Sequence, residues 1–141
     1  MLLKYHNYYQ VKITRHLLGY NFFKIIAVFW TLLIFYLCLN DTPSLPKINI
    51  INIDKIIHFL FYFVFVFLWI KSSKDISLHY FLIVLILAIF LGISIEFLQE
   101  YYTQNRTFDW YDIVANVLGA IISFILVKSH HVYKTKTSHI S

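Results

Sequence analysis

The stretch EFLQEYYTQNRTFDWYDIVANVLG, residues 96–119, sets acids, amides and an arginine at the facing ends of two strongly apolar segments. At helical spacing Glu96 and Gln99 share one stripe, and Asp109, Asp112, Asn116 and Gly119 share another, at steps of three, four and three. An acid near hydrocarbon costs on the order of 2–3 kcal/mol unless it is paired or hydrated, so such residues are read first as functional. The pattern is that of two membrane helices joined by a short connection, with their polar groups in register at one end.

Outward from that stretch the chain stays apolar. Its 141 residues are 60% hydrophobic and 13% charged, where a soluble domain would carry about a quarter charged residues. This is the composition of a membrane protein, long enough for one unit of several spanning helices and too short for a second folded domain. The net charge of +5 comes from basic residues scattered over the connections. They form no stripe, which excludes a nucleic-acid face and makes them topology signals instead. The single cysteine, Cys38, lies inside an apolar run and has no intrachain partner. Leu37 precedes it, where a lipoprotein site needs a small residue. Asn105-Arg106-Thr107 matches a glycosylation triplet, a pattern common by chance.

The predicted fold class is all-α, an integral membrane bundle of four transmembrane helices. Residues 1–21 are polar and aromatic and are expected to form a short interfacial helix. Phe22–Leu39, 18 residues broken only by Lys24, can cross a hydrocarbon core of about 30 Å. No small-x-small site follows Leu39, so this segment is a retained span and not a cleaved signal. Residues 40–53, with Pro43 and Pro46, form the longest connection and lie along the interface. The second span runs from Asp54 to Ile70. Only 15 residues separate Lys55 from Lys71, so both lysines must snorkel toward headgroups. The third runs from Leu78 to Leu98, and the fourth from Asp109 to Val127. The membrane domain is thus 22–127, followed by a basic tail, 128–141.

Orientation follows from charge. The amino-terminal end through Lys24, the turn after the second span and the tail hold nine Lys or Arg, against three in the other two connections (Lys47, Lys55 and Arg106). The positive-inside rule puts both termini in the cytoplasm. The start of the second span, the end of the third and the start of the fourth then share the extracytoplasmic face.

The candidate site is assembled from those three ends. Glu96, Asp112 and His58 are the candidate catalytic groups. Glu96 has no Lys or Arg one turn away, which leaves His58, Arg106 or a cation as its partner. His58 reads as a base, a metal ligand or an interfacial ring bonded to Asp54. Candidate ligand-binding residues are Asp54, Tyr62, Gln99, Arg106, Asp109 and Asn116. Several polar residues have a plainer reading: Asp109 as a helix cap, joined by Asp112; Asn116 as interhelical glue and Gly119 as a close-packing position; Arg106 as a solvated or lipid-phosphate-binding side chain. Lys55 reads as a snorkelling lysine. For a divalent cation the candidate ligands are Glu96, Asp109, Asp112 and His58. The oxygens favour Mg²⁺ or Ca²⁺, and the imidazole leaves Zn²⁺ open.

Asp54-Lys55-x-x-His58-Phe59-x-x-Tyr62, then Glu96-x-x-Gln99, then Arg106-x-x-Asp109-x-x-Asp112-x-x-x-Asn116-x-x-Gly119 resembles the VanZ-like family of small bacterial membrane proteins. The resemblance runs from about Phe22 to Val127, and the long polar amino-terminal segment departs from it. It implies a protein of the bacterial cytoplasmic membrane. The founding member is associated with low-level resistance to the glycopeptide teicoplanin, whose target is a lipid-linked cell-wall precursor. The expected function is binding or processing of the polar head of an envelope lipid or lipid-linked precursor at the outer membrane face, with Arg106 and a divalent cation on phosphate. Two rivals stand beside it. One is a non-enzymatic assembly or partner-binding protein whose polar residues are structural. The other is a subunit of an oligomeric proton-coupled transporter.

Overall fold

The computed structural model describes residues 2–40, 53–75, 77–103 and 107–138, as backbone alone at 2–18 and 131–138. Four helices follow one another: α1 (Leu2–Leu39), α2 (Ile53–Lys71), α3 (Leu78–Tyr102) and α4 (Trp110–Ser138). Each contains a stretch long and apolar enough to cross a bilayer, namely Gly19–Leu39, Ile53–Lys71, Leu78–Tyr102 and Trp110–His130.

The helix bounds differ from expectation where local signals are weak. α1 is one continuous helix from Leu2, not a short interfacial helix followed by a span. No proline separates the polar segment from the apolar one, and the single Gly19 leaves the helix unbroken. α3 runs on past Leu98 to Tyr102 and stops at Thr103, whose backbone N–H (3.0 Å) and hydroxyl (2.6 Å) both donate to the Gln99 carbonyl. α4 continues beyond Val127 to Ser138. The proline-containing connection falls on residues 41–52, outside the described residues.

α2 packs most extensively on α4 and also touches α1 and α3, so it is the central element. Of its buried stripe, Tyr62, Phe65 and Val66 join one core with Ile34 of α1, Ala88 and Ile95 of α3, and Ala120 of α4. Three indole or phenol groups tie the helices by polar contacts inside this apolar setting. Trp30 Nε1 donates to the Phe61 carbonyl at 3.0 Å, Trp69 Nε1 to Thr31 Oγ1 at 3.2 Å, and Tyr80 Oη to the Trp69 carbonyl at 2.9 Å. The outward surface carries Ile25, Phe29, Leu32, Ile86, Phe90 and Leu126, all exposed. Such a surface is at home in hydrocarbon, where it needs no covering partner.

The two ends of the bundle differ in charge. Lys71 at the end of α2 and Lys128 near the end of the fourth span lie over the rings of Phe67 and Phe124, at 5.9 and 5.8 Å. Their stems follow apolar surface while their ammonium groups reach outward. In the turn between α2 and α3, Asp75 accepts from the Ser77 amide at 2.8 Å, which holds its carboxyl below the usual range. Ser77 in turn caps α3 through the Tyr80 amide, at 3.2 Å. The opposite end gathers the acids.

Gly119 sets the spacing of α2 and α4. A Cβ at that position would run into the Phe59 carbonyl oxygen and lie 3.1 Å from the Phe63 nitrogen. Both neighbours are helix backbone and cannot swing away. Gly119→Ala is therefore expected to lower stability by about 1–3 kcal/mol, as overpacking does. Thermal unfolding in detergent checks this against Gly19→Ala, which has open space around it and is expected to hold or slightly raise the transition.

Candidate functional site

The start of α2, the end of α3 and the start of α4 meet at one end of the bundle and bring together Asp54, Lys55, His58, Tyr62, Glu96, Asp109, Asp112 and Asn116. Helical spacing does the first part of this work. Asp54, His58 and Tyr62 recur every four residues on α2, and Asp112 and Asn116 do so on α4. The close approach at Gly119 does the rest, because it brings the two polar stripes within side-chain reach.

At the outer level Lys55 Nζ lies 2.9 Å from Asp109 Oδ2 and 3.2 Å from Asp112 Oδ1. It also sits 5.9 Å from the centre of the Tyr111 ring. Asp109 precedes α4, and its Oδ1 accepts from the Tyr111 amide at 2.8 Å. It is both helix cap and ion-pair partner, and each of its oxygens is engaged. The Lys55 ammonium, and after it the Tyr111 amide, hold the Asp109 carboxyl below the usual carboxylate range.

One turn further in, His58 is 2% exposed, and its ring nitrogens face two different environments. Nδ1 is 3.1 Å from Asn116 Oδ1 and 3.5 Å from Glu96 Oε1. Nε2 is 3.9 Å from Asp54 Oδ1 and 3.9 Å from Asp112 Oδ2. Deeper still, Tyr62 Oη, Glu96 Oε1 and Asn116 Nδ2 are buried with no hydrogen-bond partner among the described residues. Gly92 lets these groups approach. A Cβ there would lie 3.3 Å from Asn116 Nδ2 and 3.4 Å from Tyr62 Cε1.

Gln99 is used differently. Its Nε2 donates to the Cys38 carbonyl at 3.0 Å, which satisfies an acceptor in the last turn of α1 and ties that helix to α3. Arg106 lies outside the described residues. Sequence reading missed the role of Lys55. A signal for it existed, because a lysine in the first turn of a helix opposes the helix dipole and is stable there chiefly when acids face it. Around this polar end Tyr101, Tyr102, Trp110 and Tyr111 are exposed. They form the kind of aromatic belt that marks the level of lipid headgroups.

Fold and site together define a small all-helical membrane protein with a buried polar cluster opening at one interface. The chain belongs to the VanZ/LLP1 family, which it matches over residues 2–132. It is also similar to a protein of the fission yeast Schizosaccharomyces pombe, named only as uncharacterized, with 38% identity over 112 residues. That alignment covers 77% of this chain and 65% of the yeast protein, so the chain spans a little under two thirds of its relative's length. The relative is a yeast protein, so similarity to this chain is not confined to bacteria. No solved structure matches the chain.

Asp109→Asn keeps a good helix cap and removes the ion pair. At neutral pH it is expected to cost at most about 1 kcal/mol, since the Asp109 side chain is 37% exposed. A folded-state value below the ordinary 3.8 means that this stability is full above 3.8 and is lost as the pH falls through the folded value. Melting curves of wild type and variant should therefore stay apart in mild acid and converge only in strong acid.

Proposed function

We propose that the polar end of the bundle binds the head of a membrane lipid, with its tail lying along the apolar flank. The supporting observation is the graded cluster itself. Asp54, Lys55 and Asp109 sit at the level of the aromatic belt, and His58, Glu96, Tyr62 and Asn116 continue it inward to buried donors and acceptors that lack partners. A polar headgroup entering from the interface meets carboxylates that accept from hydroxyl or amine groups, then a hydroxyl and an amide that have hydrogen bonds to give.

The charge balance narrows the ligand. Asp54, Glu96, Asp109 and Asp112 face Lys55 as the one Lys or Arg among the described residues of the cluster. A phosphate-bearing head would enter with a divalent cation, and Arg106 would add a second positive charge. With termini on the cytoplasmic side, as the basic residues imply, the cluster faces outward. In a bacterial membrane the ligand class would then include lipid-linked wall precursors, and teicoplanin susceptibility would report on it. If chemistry follows binding, Glu96, Asp112 and His58 are the groups placed to accept or pass a proton.

The structural alternative, an assembly or partner-binding protein, is favoured by the Lys55 bridge and the Gln99 link, which join helices without needing a ligand. The two readings part on one experiment. Purified protein in detergent is offered a polyprenyl phosphate and a phosphatidylglycerol, and retained lipid is measured by native mass spectrometry. Wild type is expected to retain the polyprenyl phosphate, and Glu96→Gln with Asp112→Asn to lose about tenfold in affinity, or roughly 1.4 kcal/mol. Equal retention by a folded double variant would move these acids to the structural reading.

A further inference from the structure

We propose that Asp54, His58 and Asp112 form a binding site for a divalent metal ion of the Zn²⁺ or Mn²⁺ type. The inference is argued from the donor atoms alone and holds whether or not a lipid head binds beside it. Asp54 Oδ1, His58 Nε2 and Asp112 Oδ2 point at one another from two helices, and a ligand atom from each lies within 4.8 Å of the other two. Nε2 is 3.9 Å from each carboxylate, beyond a hydrogen bond. A buried imidazole nitrogen aimed between two acids, and bonded to neither, is placed as a ligand is placed. With bonds of about 2.0–2.2 Å, the donors of one tetrahedral ion stand roughly 3.4 Å apart. The three groups need to close by only a fraction of an ångström to somewhat over one. Asp54, 55% exposed and without a hydrogen bond among the described residues, is free to supply most of that movement.

The surroundings are those of a supported metal site. The other ring nitrogen of His58 faces Asn116 Oδ1 at 3.1 Å and Glu96 Oε1 at 3.5 Å. A proton held on Nδ1 by the Asn116 oxygen leaves the lone pair on Nε2, the tautomer that a metal requires. Lys55 occupies Asp112 Oδ1 and leaves Oδ2 toward the histidine. The same geometry sorts the sequence-level candidates. Asp109 has both oxygens engaged, by Lys55 and the Tyr111 amide. Glu96 stands on the Nδ1 side, 3.5 Å from that nitrogen, and does not share the ion. Asp54, read from sequence as a ligand-binding residue, takes the third position.

One imidazole and two carboxylates suit a borderline ion better than Ca²⁺, which takes six to eight oxygens. Three protein ligands leave a coordination position open at the exposed side, where Asp54 meets the interface. The charge fits as well, because the dication would offset part of the excess of acids over Lys55.

The test uses the full chain in detergent, free of added lipid, with Zn²⁺ and Mn²⁺ as probes and equilibrium dialysis as the measurement. Co²⁺ substitution with visible absorption reports the ligand set. The expected result is one ion per chain, with Asp54→Asn weakening it by about tenfold or more, a loss of roughly 1.4 kcal/mol. Because Asp54 is exposed, this variant should melt as wild type does, which keeps the test valid if His58→Gln fails to fold. Asp75→Asn, at the opposite end of the bundle, should bind as wild type. Absence of saturable binding, equal affinity in Asp54→Asn, or full competition by Ca²⁺ would each overturn the site. Ion binding without lipid retention would discard the lipid reading alone. Lipid retention that survives chelation, with no ion bound, would discard this site alone.

Discussion

The Lys55 ammonium, reaching from the first turn of α2 to two carboxylates at the head of α4, is the interaction on which the polar end depends. Without it, three aspartates and a glutamate would stand at the edge of hydrocarbon with no cation among the described residues to offset them. Solvent weakens such a pair at the surface, and the Asp109 arm is partly exposed. The Asp112 arm is buried, and there the loss of a partner is costly because the remaining charge has no water to turn to. One lysine thus fixes the register of α2 against α4 and leaves one oxygen of Asp112 free to face His58.

Much of the fold was legible because hydrophobic length is a strong signal. Four apolar segments gave four helices. The ends were harder. The continuity of α1 and the extra turn of α3 depend on capping at Thr103 and on the lack of a breaking residue, which are weak local effects. Within the site, Glu96, Asp112, Asn116 and His58 stood out because polar groups in an apolar run are conspicuous. Lys55 did not, since a lysine near a helix end has an easy explanation as a snorkelling residue. The pairing that decides its role joins residues more than fifty positions apart in sequence. Gln99 shows the converse. Its spacing from Glu96 pointed to the site, but its amide reaches the end of α1, a partner that no local pattern announces.

Membership of the VanZ/LLP1 family and the yeast relative bear on how the cluster should be understood. If the cluster serves one chemistry in this chain and in its yeast relative, that chemistry must not depend on a bacterial wall. Phosphate-bearing lipid heads and divalent ions meet that condition, whereas a wall precursor is one specialised case. His58 is the hinge between these possibilities, since one edge of its ring looks toward the interface and the other toward the buried Asn116 and Glu96.

The separation of charge between the two ends has a further consequence. With Asp54, Glu96, Asp109 and Asp112 outnumbering Lys55 at one end and Lys71, Lys74 and Lys128 outnumbering Asp75 at the other, the bundle carries a charge dipole along its length. An electrical potential acts on such a body at about 2.3 kcal/mol per charge carried across 100 mV. In a membrane whose basic side is negative, the field holds the protein in its orientation. The same field works against cations leaving the basic side to reach the acidic end. A cation for the proposed site would then arrive from the aqueous phase that the acidic end adjoins, without crossing the field.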